Sequence, residues 1–328
     1  MNSMITVLNL ENHLKMQGYD FIRVNDRIKD GKELRISINI SLKEIDNCLT
    51  ILKNEVAKNN ADFSILMDAC SHLLSCVPLP MHIYDNSFVL RSRPNFNGEV
   101  FNKASDISYN PFPGLIKLNR FNLEHEPVFY GAVPISSDKA DGVLTTICES
   151  YKELFDNSST VNIQYVTIGK WNVIKPIKMA MLTFYETAWA KSEHVKNINP
   201  IYAEFIGLSC NDEDNKKCLM VYEYFSQCAG KRFDTRNSYL ITTAFYHAVQ
   251  ERYGSETGII YSSSSTDNYG LNIVLSKEII DGGYLELNHV VMYKCERNPS
   301  NPMNFKILPC CNGVDVNANG EFQLLGIL

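Results

Sequence analysis

The sequence predicts an α+β protein with a mainly helical unit at its N-terminus. Apolar residues recur at helical spacing before residue 80, and beyond it predicted strands and helices follow one another without strict β–α–β alternation. We therefore expect a helical unit over residues 1–80 and a mixed β core with flanking helices over 81–293. The tail, 294–328, has the turn signals of a terminal hairpin.

The helical unit is predicted from two stretches and a stop signal. Ser41-Leu42-Lys43-Glu44 has the Ser-x-x-Glu form of a capping box, and apolar residues follow at helical spacing to residue 56. A second helical stretch covers residues 63–73. Pro78-Leu79-Pro80 ends it, because proline cannot continue the helical hydrogen-bond ladder.

Residues 81–293 carry the pattern of a sheet with helices around it. The predicted strands cover residues 88–93, 128–133, 161–173, 258–261, 271–276 and 284–293. The predicted helices cover residues 145–155, 215–228 and 239–252. Pro94 is expected to stop the first strand, and Asp281-Gly282-Gly283 indicates a hairpin between the last two strands.

Charge and composition exclude several classes of function. The net charge is −6 and no run of five basic residues occurs, so binding to nucleic acid, which needs a basic face, is not expected. No apolar run approaches a membrane span, and residues 1–11 lack the pattern of a secretory signal. The ten cysteines and seven histidines show no metal-binding spacing. We expect a cytoplasmic protein with reduced thiols and no metal.

Three features of the second region stand out chemically. The strand 88–93 puts Arg91 and Arg93 on one face, where an anion would relieve the repulsion between the two guanidinium groups. Glu149 follows a mostly apolar stretch, where a partly desolvated carboxylate is a candidate for a special role. The serine run 262–265 lies between two predicted strands and could face a ligand. Taken singly, these are also features of a solvated arginine pair, an exposed helix glutamate and a flexible turn.

In their order along the chain, these features resemble the RES-domain family, named for an arginine, a glutamate and a serine. The resemblance covers residues 84–293. The matching segments are Leu90-Arg91-Ser92-Arg93, Arg120-x-Asn122, Phe129-Tyr130-Gly131-Ala132, Glu149, residues 239–244 and residues 259–272. Two positions depart from the family pattern: Asn119 stands where many members have glycine, and Ser262 where proline commonly precedes the serine.

Members of this family look like ADP-ribosyltransferase-type folds that consume NAD, several as toxins paired with an Xre-type antitoxin. Some are NAD phosphorylases. The resemblance therefore implies an enzyme that cleaves the nicotinamide–ribose bond of NAD by phosphorolysis, giving nicotinamide and ADP-ribose 1″-phosphate. NAD would be its substrate and inorganic phosphate its co-substrate, with no cofactor and no metal.

The resemblance also implies a role for each matching residue. The catalytic residues would be Glu149, Ser263 and Arg91, with Arg93 as the close rival of Arg91. The residues that bind NAD would be Arg93, Tyr109, Arg120, Asn122, Tyr130 and Asn272. This set mixes cations for phosphate, aromatic rings for nicotinamide and polar groups for ribose.

These residue types suit the reaction. Nicotinamide in NAD is already a cationic leaving group, so the difficulty lies in the ribosyl carbon, which becomes oxocarbenium-like. Glu149 would stabilise that positive charge. Arg91 and Arg120 would hold the pyrophosphate, or one of them the incoming phosphate, and Tyr109 or Tyr130 would stack on the nicotinamide ring. Ser263 would donate a hydrogen bond to a phosphate or ribose oxygen.

Several alternatives stay open. Water as acceptor would make the chain an NAD glycohydrolase, and a macromolecular acceptor would make it a protein ADP-ribosyltransferase. In a different class, it would be a non-catalytic NAD-binding or regulatory interaction module. A Rossmann dehydrogenase is disfavoured, since no GxGxxG follows a strand. The helical unit could form a homodimer, shield the NAD cleft, or bind an antitoxin or other inhibitory protein, because an unregulated enzyme of this kind would harm its own cell.

Overall fold

A computed structural model of the chain describes residues 38–85, 87–134, 140–151, 161–192, 195–196, 199, 211–232, 235–298 and 301–324. The predictions for residues 1–37, and for the end of the helix over 145–155 beyond residue 151, lie outside the described residues. The α-helices whose bounds the structure describes are α1 (Leu42–Val56), α2 (Phe63–Cys76), α3 (Ala140–Ser150), α4 (Glu186–Lys191), α5 (Asp212–Gly230), α6 (Tyr239–Tyr253) and α7 (Lys277–Asp281).

The strands lie between and after these helices. They are β1 (Met81–Tyr84), β2 (Phe88–Asn95), β3 (Val128–Val133), β4 (Ile163–Val173), β5 (Ile177–Leu182), β6 (Thr257–Ser262), β7 (Leu271–Ser276), β8 (Leu285–Asn298), β9 (Asn301–Pro309) and β10 (Val314–Asp315). The protein thus has the mixed α+β class that the sequence predicts.

The chain divides into two compact units that interleave along the sequence. Unit 1 comprises Met1–Asp85, Lys117–Glu126 and Pro176–Ser262. Unit 2 comprises Asn86–Ile116, Pro127–Lys175 and Ser263–Leu328. Both units therefore draw on the region 81–293.

Unit 1 combines helices with a short mixed sheet. Strand β5 pairs with β1 in antiparallel and with β6 in parallel orientation. Helix α2 packs on α1 and α6, and α5 packs on α6 and β6. The predicted capping box at the start of α1 is confirmed: the Ser41 hydroxyl accepts from the Glu44 N–H, and the Glu44 carboxylate accepts from the Ser41 N–H at 2.8 Å.

Unit 2 contains an antiparallel sheet with strand order β7-β3-β2-β4-β8-β10, and β9 pairs with β8. Helix α3 covers one face of this sheet. Ser92 on β2 donates its hydroxyl proton to the Thr146 carbonyl of α3 at 2.7 Å. An apolar cluster beside this contact comprises Leu90, Ile147, Val166, Ile168 and Cys295. The packing of α3 on β2 and β3 sets where residues at the end of that helix lie.

Two local predictions for unit 2 are wrong. The signal at Asp281-Gly282-Gly283 does not mark a hairpin, because β7 pairs with β3 and β8 with β4. Strand β2 also continues past Pro94 to Asn95. Pro94 pairs with β4 on one side of β2. On the other side, β2 pairs with β3 only at Leu90, so the proline, which has no N–H, interrupts no hydrogen bonds between β2 and β3.

Across the part of the chain that the structure describes, no helix combines the length and the apolar character that crossing a bilayer requires.

Candidate functional site

Glu149 lies in the last turn of α3, and two donors hold its carboxylate. Its Oε1 atom accepts hydrogen bonds from Ser263 Oγ at 2.6 Å and from Asn272 Nδ2 at 2.8 Å. Ser263 is fully buried and Asn272 nearly so, whereas Glu149 is partly exposed. Among the described residues, none donates a hydrogen bond to Oε2. The carboxylate is therefore fixed through one oxygen atom and keeps the acceptor capacity of the other.

The two donors stabilise a charge that the helix itself disfavours. The C-terminal end of a helix carries a partial negative charge, and the last turn of α3 has no basic residue. Hydrogen bonds to an ionised acceptor are short and about twice as strong as neutral ones. Ser263 and Asn272 thus both orient the Glu149 carboxylate and stabilise its negative charge.

The loop after β6 holds the Ser263 hydroxyl in place. Ser263 precedes a single 3₁₀ turn, and its Oγ accepts from the Thr266 N–H at 3.2 Å. The Ser263 N–H donates to the Gly270 carbonyl at 2.9 Å, and the Asn268 N–H donates to the Ser263 carbonyl at 2.8 Å. These bonds constrain both the backbone and the side chain, so the serine run is not a flexible turn.

The structure distinguishes the two adjacent serines. Ser263 contacts Glu149. Ser262 ends β6 and is fully buried, and its hydroxyl has no hydrogen-bond partner among the described residues. The serine that the resemblance assigns is therefore the one that holds the carboxylate.

Gly270 allows this loop to lie against α3. A Cβ atom at this position would stand 2.1 Å from Thr145 Oγ1 and 2.8 Å from Thr145 Cγ2, far inside contact distance. We expect Gly270→Ala to lower the free energy of unfolding by about 1–3 kcal/mol, as overpacking does in other cores. Urea denaturation measures this change.

The control for this prediction is the double variant Gly270→Ala/Thr145→Ala. Because the second substitution removes Oγ1 and Cγ2, the double variant should recover part of the stability that Gly270→Ala alone loses. Strictly additive losses would show that the steric contact is not the cause.

The strand register of unit 2 separates Arg91 from the Glu149 cluster. Directly paired residues share a face of a sheet, and neighbours along a strand alternate. Leu90 pairs with Ala132, and Ala132 pairs with Asn272, so these three share the face that α3 covers. Arg91 pairs with Gly169 and leaves the sheet on the opposite face. No hydrogen bond or ion pair joins Arg91 to Glu149 within the described part of the chain.

Tyr130 and Arg93 follow the same rule. Tyr130 lies two residues before Ala132 on β3, and its partner Val274 lies two residues after Asn272 on β7. Tyr130 is therefore on the same face of the sheet as Asn272. Arg93 shares the face of Arg91. The structure thus brings Glu149, Ser263 and Asn272 into contact and puts Tyr130 on the face of the sheet that carries Asn272. The side chains of Arg91 and Arg93 leave the sheet on the opposite face.

The Arg91 guanidinium joins β3 to the loop that follows β2. Its Nε donates to the carbonyls of Ile107 and Ser108 at 3.2 and 3.1 Å, and its Nη1 donates to the Tyr130 carbonyl at 2.6 Å. The carbon of the guanidinium lies 4.8 Å from the centre of the Phe129 ring. The remaining N–H groups have no partner among the described residues, and none of these residues pairs a carboxylate with Arg91.

The repulsion expected between the two arginines is present. Burial lowers the pKa of Arg91 to about 10, and the neighbouring charge of Arg93 lowers it in the same direction. Arg91 therefore stays protonated at neutral pH. Arg93 is exposed, donates to the Asp106 carbonyl and lies 3.7 Å from the Glu99 carboxylate. Of the two, Arg91 carries the charge that no described carboxylate neutralises.

Tyr109 is bound to a residue that the sequence does not connect with it. Its hydroxyl donates to Asp281 Oδ1 at 2.8 Å. Burial, followed by this hydrogen bond, raises the pKa of Tyr109 to about 12, so the phenol is neutral at physiological pH. Asp281 was part of the turn signal, and no local pattern could have linked two residues so far apart in the chain.

Arg120 and Asn122 belong to unit 1, where both bind backbone carbonyls. Arg120 is buried, and its Nη1 donates to the carbonyls of Cys228 and Lys231 at the C-terminal end of α5, at 3.1 and 2.9 Å. The Asn122 amide donates to the carbonyls of Lys117 and Leu123 at 3.0 and 2.7 Å. Arg120 and Asn122 therefore bind backbone carbonyls of unit 1, a role that their sequence pattern does not indicate.

No protein-family model matches this chain, and no curated protein does either. A metal centre finds no support in the described part of the chain, where no three His, Cys, Asp or Glu side chains are grouped.

Proposed function

We propose that this chain cleaves the nicotinamide–ribose bond of NAD and transfers the ADP-ribosyl group to inorganic phosphate. The observation that carries the proposal is the Glu149 carboxylate, held at Oε1 by Ser263 and Asn272 and without a described partner at Oε2. These residues are 114 and 123 positions from Glu149 in the chain. The RES resemblance assigns all three residues to one site, and the contact that Ser263 and Asn272 make with Glu149 supports this proposal.

The proposed reaction is a displacement at the anomeric carbon of the nicotinamide ribose. A phosphate oxygen forms a bond to that carbon, the carbon–nitrogen bond breaks, and its electron pair stays on the nicotinamide nitrogen. The products are neutral nicotinamide and ADP-ribose 1″-phosphate. Glu149 Oε2 would face the ribose and stabilise the positive charge that develops on it.

The other predicted residues fit this proposal to different degrees. Arg91 has N–H groups and a charge that no described carboxylate uses, as a phosphate-binding arginine requires, but it leaves the sheet on the face opposite to Asn272, so its contact with the same NAD has weaker support. Tyr130 shares the sheet face of Asn272 and could stack on nicotinamide. Arg120 and Asn122 bind carbonyls within unit 1, so their proposed contacts with NAD have weaker support.

The wider setting follows from the same proposal. The described cysteines are free and mostly buried, which suits the reducing cytoplasm where NAD and phosphate occur. We propose an ADP-ribosyltransferase-type fold, action as a toxin or NAD-depleting effector, and control by an Xre-type antitoxin or another inhibitory protein.

The arginines favour a second candidate function, a non-catalytic NAD-binding or regulatory module. Arg91 and Arg120 both donate to backbone carbonyls, as arginines with structural roles do. In this module Glu149 would hold the loop of Ser263 in place without taking part in any reaction.

One experiment separates these functions. Full-length protein is incubated with NAD, with and without phosphate, and the products are followed by proton and phosphorus NMR. Nicotinamide together with a new sugar-phosphate signal, seen only with phosphate, supports the phosphorylase.

Three other results would replace that assignment. Free ADP-ribose in both buffers identifies an NAD glycohydrolase. ADP-ribose found on a protein identifies a protein ADP-ribosyltransferase. NAD that survives in every sample while shifting the protein's spectrum identifies the binding module.

A further inference from the structure

Three Asn-Gly pairs occur in the sequence, beginning at Asn97, Asn312 and Asn319. This dipeptide is prone to cyclise, because glycine has no side chain to hinder the attack of its backbone nitrogen on the asparagine amide. All three asparagines are exposed. The groups around the glycine differ from one pair to the next, so the structure distinguishes pairs that are alike in sequence.

His289 lies directly against the glycine of the second pair. A Cβ atom at Gly313 would stand 2.8 Å from His289 Cε1 and closer still to Nε2, so the imidazole ring occupies the space that a side chain would need. The contact follows from the register: Asp315 on β10 pairs with His289 on β8, and Gly313 precedes Asp315 by two residues, the spacing of one sheet face. By the backbone bond lengths, Nε2 lies within about 5 Å of the Gly313 nitrogen. A base can reach a proton over this distance directly or through one water molecule.

Asp315 decides which nitrogen of this ring carries the lone pair. A carboxylate can only accept, so the hydrogen bond of 2.8 Å between His289 Nδ1 and Asp315 Oδ1 puts the proton on Nδ1. In the neutral imidazole the basic nitrogen is then Nε2, the one beside Gly313. Among the described residues, no backbone carbonyl accepts from the Gly313 N–H. A carboxylate, an imidazole and an N–H group thus follow one another as general-base catalysis requires.

The other two pairs lack this arrangement. A Cβ atom at Gly98 would have no described atom within 4 Å, and one at Gly320 would meet only Ala104 Cβ, at 3.4 Å. The Gly320 N–H also donates to the Asn317 carbonyl at 2.9 Å. These two pairs therefore serve as internal standards, with the same reacting groups and no described imidazole against the glycine.

We propose that Asn312 is a site of self-catalysed deamidation, with His289 as the general base. His289 Nε2 accepts the Gly313 amide proton while the Gly313 nitrogen forms a bond to Asn312 Cγ. The bond between Cγ and Nδ2 then breaks, the proton passes from His289 to the departing nitrogen, and ammonia leaves. Water opens the resulting succinimide to aspartate or isoaspartate at position 312. Either product adds one negative charge at an exposed position just before β10.

The test compares the three pairs in one sample. Full-length protein is incubated in neutral buffer made with water enriched in heavy oxygen and digested at acidic pH, and the three Asn-Gly peptides are analysed by mass spectrometry. The heavy oxygen marks only asparagines that convert during the incubation. We expect Asn312 to convert faster than Asn97 and Asn319. His289→Gln should slow conversion at Asn312 by about tenfold or more, since a positioned general base contributes up to several orders of magnitude, and it should not change the other two rates.

A second variant separates catalysis from a structural role. Asp315→Asn keeps the size of the side chain and removes the charge that orients the ring, so it should also slow conversion at Asn312. If the contact between His289 and Asp315 only held β10 against β8, either substitution would loosen the segment that carries Asn312 and speed its deamidation. The two roles thus predict changes of opposite sign.

Three results would overturn the proposal. They are no conversion at Asn312, conversion there no faster than at the other two pairs, and an unchanged or faster rate at Asn312 in His289→Gln with its fold intact by circular dichroism. If His289→Gln does not fold, an unchanged or faster rate in Asp315→Asn has the same meaning. NAD plays no part in this measurement, so its outcome is independent of the function proposed above.

Discussion

Replacing Glu149 by glutamine is expected to slow NAD cleavage by about a hundredfold to a thousandfold, the range seen when a group that stabilises transition-state charge is removed. The amide is nearly isosteric with the carboxylate, and its oxygen can still accept from Ser263 and Asn272, so the local structure should persist. It carries no negative charge to oppose the positive charge on the ribose. Nicotinamide release, measured at saturating NAD, reports the effect.

The matched control is Glu286→Gln, which removes an exposed carboxylate of unit 2 from β8. This variant should retain the full rate, because Glu286 is not among the residues in contact with Glu149. If Glu149→Gln is folded and releases nicotinamide within twofold of the wild-type rate, Glu149 is not catalytic.

Replacing Arg120 by methionine is expected to lower the free energy of unfolding by about 2–4 kcal/mol. The buried guanidinium donates to the carbonyls of Cys228 and Lys231, and hydrogen bonds from charged groups contribute about 1.5–3 kcal/mol each. Methionine fills much of the same volume and leaves both carbonyls without this donor. Urea denaturation, followed by far-ultraviolet circular dichroism, measures the loss.

Two comparisons sharpen this prediction. Arg120→Lys should lose less stability than Arg120→Met, but it should not reach wild type, because the lysine side chain is shorter and its ammonium group cannot take the position of Nη1, from which both carbonyls accept. Arg232→Met is the control: it removes an exposed arginine of unit 1 that follows Lys231 in the chain. Full stability of Arg120→Met, combined with weaker binding of NAD, would return Arg120 to the phosphate-binding role that the resemblance implies.

The secondary structure of this chain could largely be predicted from the sequence, because its signals are local. Strands β3 and β7 have the predicted bounds, and α1 begins at the predicted capping box of Ser41 and Glu44. Each of these signals depends on residues a few positions apart. The prediction of a hairpin at Asp281-Gly282-Gly283 was wrong because a turn sequence does not determine which strands pair with each other.

The candidate site could be predicted only as a set of residues. The sequence indicated Glu149, Ser263 and Asn272, but the fold decides that one carboxylate oxygen accepts from both donors. The sequence also predicted that Arg91 and Arg93 lie side by side, and in the structure the charge of Arg93 lowers the pKa of Arg91. Strand register, which depends on β3, β4 and β7, decides that Arg91 leaves the sheet on the face opposite to α3.

Local patterns in the sequence were therefore enough to predict the α+β class, most of the helices and strands, and the residue types that could carry chemistry. Only the tertiary structure decided the partner of each polar group. The physical reason is that backbone carbonyls are chemically alike at every position, so no sequence pattern reveals that Arg120 binds the end of α5 or that Arg91 binds Tyr130. Those partners exist because the packing of helices and strands brings distant segments together.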